Sequence, residues 1–311
     1  MDSGMTPVAP SPDWWNLLAC PDCRGPLVPR PQALACAPCA TIFPIQGGIP
    51  SLLPARARGS VGEDLEQWRS GAIRPRVPWW LIKAAKSPDV HRSPKERRML
   101  RKALSGFSAG AQVLDIGCGL LEHAGPRVLR LDLAPAPGVD VAGDAHALPF
   151  RDATLDGAVA VHLLEHVREP WTAAAEIERV VKPGGRVIAV VPFLEPYHRN
   201  PTDHARFCRD GVERLFPRCR TVQLDWANGP GAALAWILKE YLACIFPGSN
   251  HPVFYAGLRE SLGWMLVPVA WTDVFFRGKT FAHKIAAGFY YEGIRDGAAG
   301  SAPSPSPGAG V

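Results

Sequence analysis

Four short runs of mostly apolar residues lie between residues 113 and 161, at 113–116, 128–131, 139–142 and 155–161. Each run is followed by a glycine, an acid or a histidine. The first run, Val113–Ile116, is apolar on both sides, which is typical of a strand buried within a parallel sheet. The series therefore predicts neighbouring parallel strands whose carboxyl ends carry polar residues.

Helical patterns lie before and after these runs. Apolar positions recur at helical spacing in Pro94–Leu104, in a segment opening at Pro170, and in Ala232–Phe246. A Lys-Pro-Gly-Gly sequence at 182–185 stops the second helix before a fifth strand at 186–191. A last strand is expected at 289–294. Parallel strands accompanied by helices predict an α/β fold.

The polar residues at the strand ends suggest a nucleotide-like ligand. Ligands of parallel sheets bind at the carboxyl ends of the strands. Gly117 and Gly119 allow a tight turn and a close approach of a ligand to the main chain. The carboxylate of Asp132 suits a ribose diol, and that of Asp144 suits the amino group of a purine.

Five segments in order (VLDIGCG, RLDLA, GDAHALPF, LDGAVAVHLLEHV and VVKPGGRVIAVVPF) resemble the motifs of class I S-adenosylmethionine-dependent methyltransferases, in the methyltransferase type 11-like branch. The resemblance implies a Rossmann-like, seven-stranded doubly wound sheet that binds S-adenosyl-L-methionine. The implied cofactor-binding residues are Asp115, Gly117, Cys118 and Gly119 around the methionine part, Asp132 and Leu133 at the ribose, Asp144 and Ala145 at the adenine, and His162. Only twelve residues separate Gly119 from Asp132, so the helix after the glycine turn should be very short or absent.

Two CxxC pairs, Cys20 with Cys23 and Cys36 with Cys39, lie in the first forty residues. This spacing predicts a tetrahedral structural Zn²⁺ site, with redox dithiols as the alternative. The surrounding sequence resembles the Trm112-like zinc ribbon. A unit of this size buries too little core to fold alone, so the metal would contribute to its folding.

The loop after the fifth strand is rich in groups that could act on a substrate. It contains His198 and Asp203, and His166 follows the fourth strand. A histidine beside a carboxylate can accept a proton during methyl transfer, so these three residues are the candidate catalytic set. The alternatives are a proline-stiffened lid whose polar groups satisfy one another and, for His166, a hydrogen-bonded histidine at a helix start.

Charge and hydropathy restrict the partners. A net charge of +5 is too small to indicate nucleic acid by itself, so nucleic acid is disfavoured but stays open. No secretion signal is visible, and the apolar runs near 234–246 and 262–276 are too short or interrupted to span a membrane. A cytoplasmic protein with possible peripheral membrane contact is the expectation; the oligomeric state stays open.

These observations predict a methyltransferase acting on an oxygen or nitrogen of a small or lipid- or sugar-type molecule. The alternatives are an RNA methyltransferase with a zinc module and a non-catalytic zinc-ribbon partner protein. The expected organisation is a disordered segment (1–12), a zinc ribbon (13–54), a basic linker with a lead-in helix (55–105), the core (106–225), a helical cap (226–280), the last strand region (281–298) and a disordered tail (299–311).

Overall fold

The computed structural model describes residues 13–57, 93–118, 128–198 and 202–297. Gly119, the two terminal segments expected to be disordered and most of the basic linker lie outside the described residues. The same holds for the short connection that follows the glycine turn. No described helix has both the length and the apolar character needed to cross a membrane.

Four short strands form the amino-terminal ribbon, and their order along the chain is also their order in space. They are β1 (Leu27–Arg30), β2 (Ala33–Cys36), β3 (Ile42–Gln46) and β4 (Ile49–Leu52). The three neighbouring pairs are antiparallel. Strand β4 then continues into the central sheet, because its outer edge pairs in parallel with a later strand.

The central sheet contains seven strands, the number that the family resemblance implies, with β4 added at one edge. They are β5 (Val113–Ile116), β6 (Val128–Asp132), β7 (Val141–Gly143), β8 (Leu155–Val161), β9 (Val181–Pro192), β10 (Cys219–Asn228) and β11 (Gly288–Arg295). Their spatial order is β7-β6-β5-β8-β9-β11-β10. Strand β11 is antiparallel to both its neighbours, and the other described pairs within this set are parallel. The predicted α/β doubly wound fold is confirmed.

Three helices of the described residues accompany the sheet: α1 (Pro94–Ser105), α2 (Pro170–Val180) and α3 (Arg209–Leu215). Helix α1 begins where predicted because the Ser93 hydroxyl accepts a hydrogen bond from the backbone N–H of Glu96, at 3.1 Å, and proline occupies the first turn. Its buried face includes Met99, Leu100 and Leu104. Ser93 also bonds the carbonyl of Ala227, which ties α1 to the end of β10.

One core extends from the ribbon into the central sheet. Leu18, Phe43 and Leu52 of the ribbon segment belong to the same cluster of buried side chains as Leu114 and Leu131. An isolated bridge joins Leu18 to Phe150. The ribbon therefore gains apolar burial from the core as well as from its own strands.

A helical cap lies between β10 and β11. It consists of α4 (Pro230–Ile245), α5 (Pro252–Met265), α6 (Val267–Trp271) and the 3-10 turns Thr272–Phe276 and Ala282–Ile285. Ala232, Ala233 and Trp236 pack with Ala287 and Leu194 beneath the cap. This attachment places the cap next to the loop that follows β9.

Candidate functional site

Three aspartates lie at or near the carboxyl ends of three adjacent strands. Asp115 on β5 is 1% exposed and is in register with Arg130 of β6 and Val159 of β8. Asp132 ends β6, and Asp144 directly follows β7. Because the three strands are parallel and neighbouring, these carboxylates share one edge of the sheet, at the point where the strand order reverses.

Gly117 forms the turn at this edge. Its φ is +69°, a conformation that favours glycine. Its N–H donates to the Leu131 carbonyl at 2.9 Å, which holds the turn against β6. A Cβ at this position would lie 2.6 Å from the Leu163 side chain. The positive φ and the close approach of Leu163 both favour glycine here, which leaves the turn without a side chain of its own.

Cys118 is 1% exposed behind this turn. Burial raises the pKa of its thiol to about 12, helped by the nearby carboxylates of Asp115 and Asp132. The thiol therefore remains protonated at neutral pH and packs as a small apolar group. Leu133, on the other side of the turn, donates its N–H to Asp132 Oδ1 at 2.7 Å.

Asp144 caps a 3-10 turn that contains the buried Ala145. Its Oδ1 accepts from the His146 backbone N–H at 2.9 Å and lies 2.6 Å from His146 Nδ1. Burial opposes ionisation of Asp144, but the contacts with His146 outweigh it and lower the pKa of the carboxyl. A negative charge is thus held where the sequence predicts recognition of adenine.

His162, at the end of β8, lies between two fully buried glutamates. Its Nε2 is 3.6 Å from Glu96 Oε2, and its Nδ1 is 3.4 Å from Glu165 Oε1. Burial disfavours the imidazolium, but the two carboxylates outweigh this and raise the pKa of His162 well above its usual value. Glu195 also lies in this region, and burial raises its pKa to about 8, with Glu165 and Glu96 adding to the rise.

His166 and His198 contact each other edge to face, with ring centroids 5.2 Å apart. His166 Nδ1 donates to the Thr202 carbonyl, and its Nε2 lies 3.9 Å from Glu165 Oε1. Burial is the main cause of a lowered pKa at His198, although Asp203 opposes it. His198 is therefore neutral at pH 7 and able to accept a proton.

Asp203 supports the His198 loop from within. Its side chain is 2% exposed and receives two bonds from the Arg206 guanidinium, one of them at 2.6 Å. It also accepts the His198 N–H at 2.8 Å. Arg206 in turn donates to the carbonyls of Pro196 and Glu195. Asp203 thus accepts hydrogen bonds from other residues of the loop. In the reaction it would position His198 and would not act on the substrate itself.

The four ribbon cysteines form one compact cluster whose sulfur atoms all lie within 4.8 Å of one another. The Sγ atoms of Cys20 and Cys39 are 3.6 Å apart, and those of Cys23 and Cys36 are 3.3 Å apart. Tetrahedral zinc–thiolate bonds of about 2.3 Å place sulfur atoms roughly 3.8 Å apart. The donor set fits a structural Zn²⁺ ion.

The sequence reasoning overlooked three members of the His162 cluster, Glu96, Glu165 and Glu195. Glu96 lies in the first turn of α1, where an acid is expected for reasons of helix stability alone. Its role depends on a contact with His162, which lies 66 positions later in the chain. A local sequence pattern cannot predict such a contact. Glu195 lay within the loop singled out for its histidines, and its position directly beyond β9 was the available signal.

Two family models match parts of the chain. The family described as methyltransferase domain matches residues 114–189, and the family described as Trm112p-like protein matches residues 13–48. The first match covers β5 to β9 with the strand-end aspartates, and the second covers all four ribbon cysteines. The two families thus match separate parts of the chain.

Among curated proteins, the chain is 28% identical over 216 residues to a demethylmenaquinone methyltransferase of Renibacterium salmoninarum, covering 61% of this chain and 79% of that protein. It is 34% identical over 151 residues to an uncharacterized methyltransferase of Mycobacterium tuberculosis, covering 42% of this chain and 59% of that protein. A solved complex of the Haloferax volcanii Trm112 methyltransferase activator with a protein assigned as a methyltransferase aligns at a TM-score of 0.41 and 17% identity, covering 66% of this chain and 91% of that chain.

Proposed function

We propose that this chain, which combines a methyltransferase domain with a Trm112p-like module, transfers a methyl group from S-adenosyl-L-methionine to an oxygen or nitrogen of a small or lipid- or sugar-type molecule. The observation that carries the proposal is the convergence of Asp115, Asp132 and Asp144 on one sheet edge. Asp132 would hold the ribose and Asp144 the adenine amino group. Asp115 and the bare turn at Gly117 would adjoin the methionine part.

The sulfonium of the cofactor supplies an activated methyl group, so the protein's main task is to position the acceptor. The histidine pair lies beyond β8 and β9, next to the strands that would hold the cofactor. His198 is neutral and partly exposed, so it can take the proton that an acceptor hydroxyl or amine releases. Asp203 and Arg206 fix the backbone that carries it.

The surroundings of the His198 loop favour a compact acceptor with apolar parts. Helix α4 begins directly after β10 and packs through Trp236 near Leu194 of the His198 loop. A site bordered by an apolar cap suits a small or lipid-linked molecule better than a polymer of phosphates, which would need a continuous basic surface. For this reason, RNA is the second candidate for the methyl acceptor.

The acceptor class can be tested with methyl-labelled cofactor and a cell extract from the source organism. The protein is incubated with the extract, and the label is measured in the organic phase, the small-molecule fraction and total RNA. The proposal predicts label in one of the first two fractions and a weak dependence on salt. Label confined to RNA, with a steep loss of transfer as salt rises, would contradict the proposed acceptor.

A further inference from the structure

Helix α4 turns an apolar face outward. Leu234, Ile237, Tyr241 and Ile245 recur every three or four residues and are between 47% and 61% exposed. The opposite face is buried and includes Lys239, which is 5% exposed. A helix that faced only water would carry its polar residues on the outside. The arrangement in α4 is reversed, as expected for a helix with an apolar surrounding.

The rest of the cap is exposed to an unusual degree. Within Pro252–Phe276, which the structure describes throughout, Leu262 is the one buried residue. Trp271 and Phe275 are 71% and 73% exposed. Fourteen of the nineteen large apolar side chains exposed in the described part of the chain belong to residues 234–285. We call these fourteen side chains the apolar cap face. They are Leu234, Ile237, Tyr241, Ile245, Phe246, Val253, Phe254, Trp264, Met265, Trp271, Val274, Phe275, Phe281 and Ile285. A patch this concentrated marks an interaction surface.

The exposed charged side chains of the cap are basic, whereas Glu260 is half-buried and pairs with Arg259 at 2.9 Å. Arg277, Lys279 and Lys284 are exposed, and Lys284 Nζ lies 4.8 Å above the ring of the exposed Phe281. The nearby acid, Asp273, turns inward, where it accepts N–H bonds at the start of α4. Farther along, Glu240 is neutralised by Arg259, 2.5 Å away.

A cationic cavity adjoins the same region. Its volume is about 420 Å³, and its lining includes Lys95, Arg209, Lys279 and His283. Lys95 is held by Asp225 at 2.8 Å, while Lys279 contributes both to the cavity and to the basic edge of the cap. The cavity is large enough for a phosphate-bearing head group.

We propose that the apolar cap face docks onto the surface of an anionic lipid bilayer. Exposed tryptophan and phenylalanine beside lysine and arginine suit the boundary between acyl chains and charged head groups. A second copy of the chain fits less well. A two-fold dimer would join this face to itself and bring two sets of the same cations into one interface. The inference goes beyond the proposed function and is independent of the acceptor's identity.

Vesicle flotation with the full chain tests the docking directly. Vesicles of phosphatidylcholine alone are compared with vesicles that also contain phosphatidylglycerol. The full chain should float with the anionic vesicles, and less so as salt rises. The double substitution Trp271→Glu with Phe275→Glu should weaken this partitioning roughly tenfold or more, because two large apolar side chains no longer insert. Both side chains are exposed, so folding should persist.

Two further variants complete the test. Lys279→Glu with Lys284→Glu should reduce partitioning onto anionic vesicles by roughly tenfold and leave the weak partitioning onto neutral vesicles unchanged. Ile42→Glu, on the exposed side of the ribbon at 66% exposure, should leave both unchanged.

Three results would overturn the proposal: no flotation of the full chain, no preference for anionic vesicles, or an equal loss with Ile42→Glu. A dimer in light scattering that Trp271→Glu dissociates, without vesicle binding, would assign the apolar cap face to a second copy instead. Since vesicle binding needs neither cofactor nor methyl transfer, failure here leaves the proposed function standing.

Discussion

Ser51 of β4 pairs in parallel register with Ala142 of β7, which makes the cysteine ribbon continuous with the central sheet. A second attachment places Arg24 of the ribbon 3.3 Å from Glu176 on α2. Arg24 is largely exposed, so its ion pair contributes little, and the backbone pairing and shared core carry the connection. We therefore expect the metal state of the ribbon to affect the stability of the domain that contains the central sheet.

Purified protein kept reduced should hold one zinc ion per chain at the four cysteines. Cys36→Ser should lose it and lower the melting temperature of the whole chain by roughly 5–10 °C, because each kcal/mol corresponds to about 2–4 °C for a chain of this size. Metal analysis and calorimetry on the same samples measure both effects. Cys208→Ser, at an exposed cysteine outside the cluster, is the matched control. Zinc-free wild-type protein, or zinc loss without a change in melting, would contradict this prediction.

Gly117→Ala tests the bare turn at the sheet edge. It should destabilise the protein and weaken cofactor binding, because an alanine there adopts an unfavourable φ and overlaps Leu163. Gly184→Ala is a control for the backbone term alone, since Gly184 has a φ of +79° and no atom within 4 Å of an added Cβ. Denaturant unfolding should show a loss of about 1–2 kcal/mol for Gly184→Ala and about 1–3 kcal/mol more for Gly117→Ala. Equal losses would mean that Leu163 accommodates the methyl group.

The sequence identified the elements whose pattern is local. The strands β5 and β8 begin and end where the apolar runs do, β6 extends one residue beyond its run, and α1 begins at its capping serine. The four cysteines and the three strand-end aspartates were also predicted. The spacing of the cysteines and the position of each aspartate at the end of an apolar run can be read from the sequence alone. The doubly wound arrangement was implied by the resemblance of five segments to the class I methyltransferase motifs.

What the sequence could not provide depends on distant contacts. The addition of β4 to the central sheet requires an edge strand, β7, that lies about ninety residues later. The pairing of Glu96 with His162 and the burial of Asp203 beneath Arg206 arise only after folding. The outward apolar face of α4 has the same periodicity as an inward one, so the pattern predicts the helix but not which face is covered.

His198→Ala should reduce turnover by about a hundredfold while leaving cofactor affinity nearly unchanged, since His198 would accept the acceptor's proton and not hold the cofactor. Burial lowers the pKa of His198 below 6.5, the ordinary value for histidine. The activity of the wild type should therefore fall only at pH values below this, where the imidazole becomes protonated. His204→Ala is the control, because His204 is exposed in the same loop and its backbone contact to Glu165 is retained. A wild-type acid limb that persists unchanged in His198→Ala would contradict the assignment.

The aspartates at the sheet edge should bind S-adenosyl-L-methionine, and calorimetric titration with S-adenosylhomocysteine measures this binding. The wild type should bind one equivalent, and Asp132→Ala should weaken binding by about 1.5–3 kcal/mol, because the hydrogen bonds between a charged carboxylate and the ribose are lost. Glu213→Ala, which removes an exposed carboxylate from α3, should bind as the wild type does. No binding by the folded wild type, or an unchanged dissociation constant in Asp132→Ala, would contradict the account.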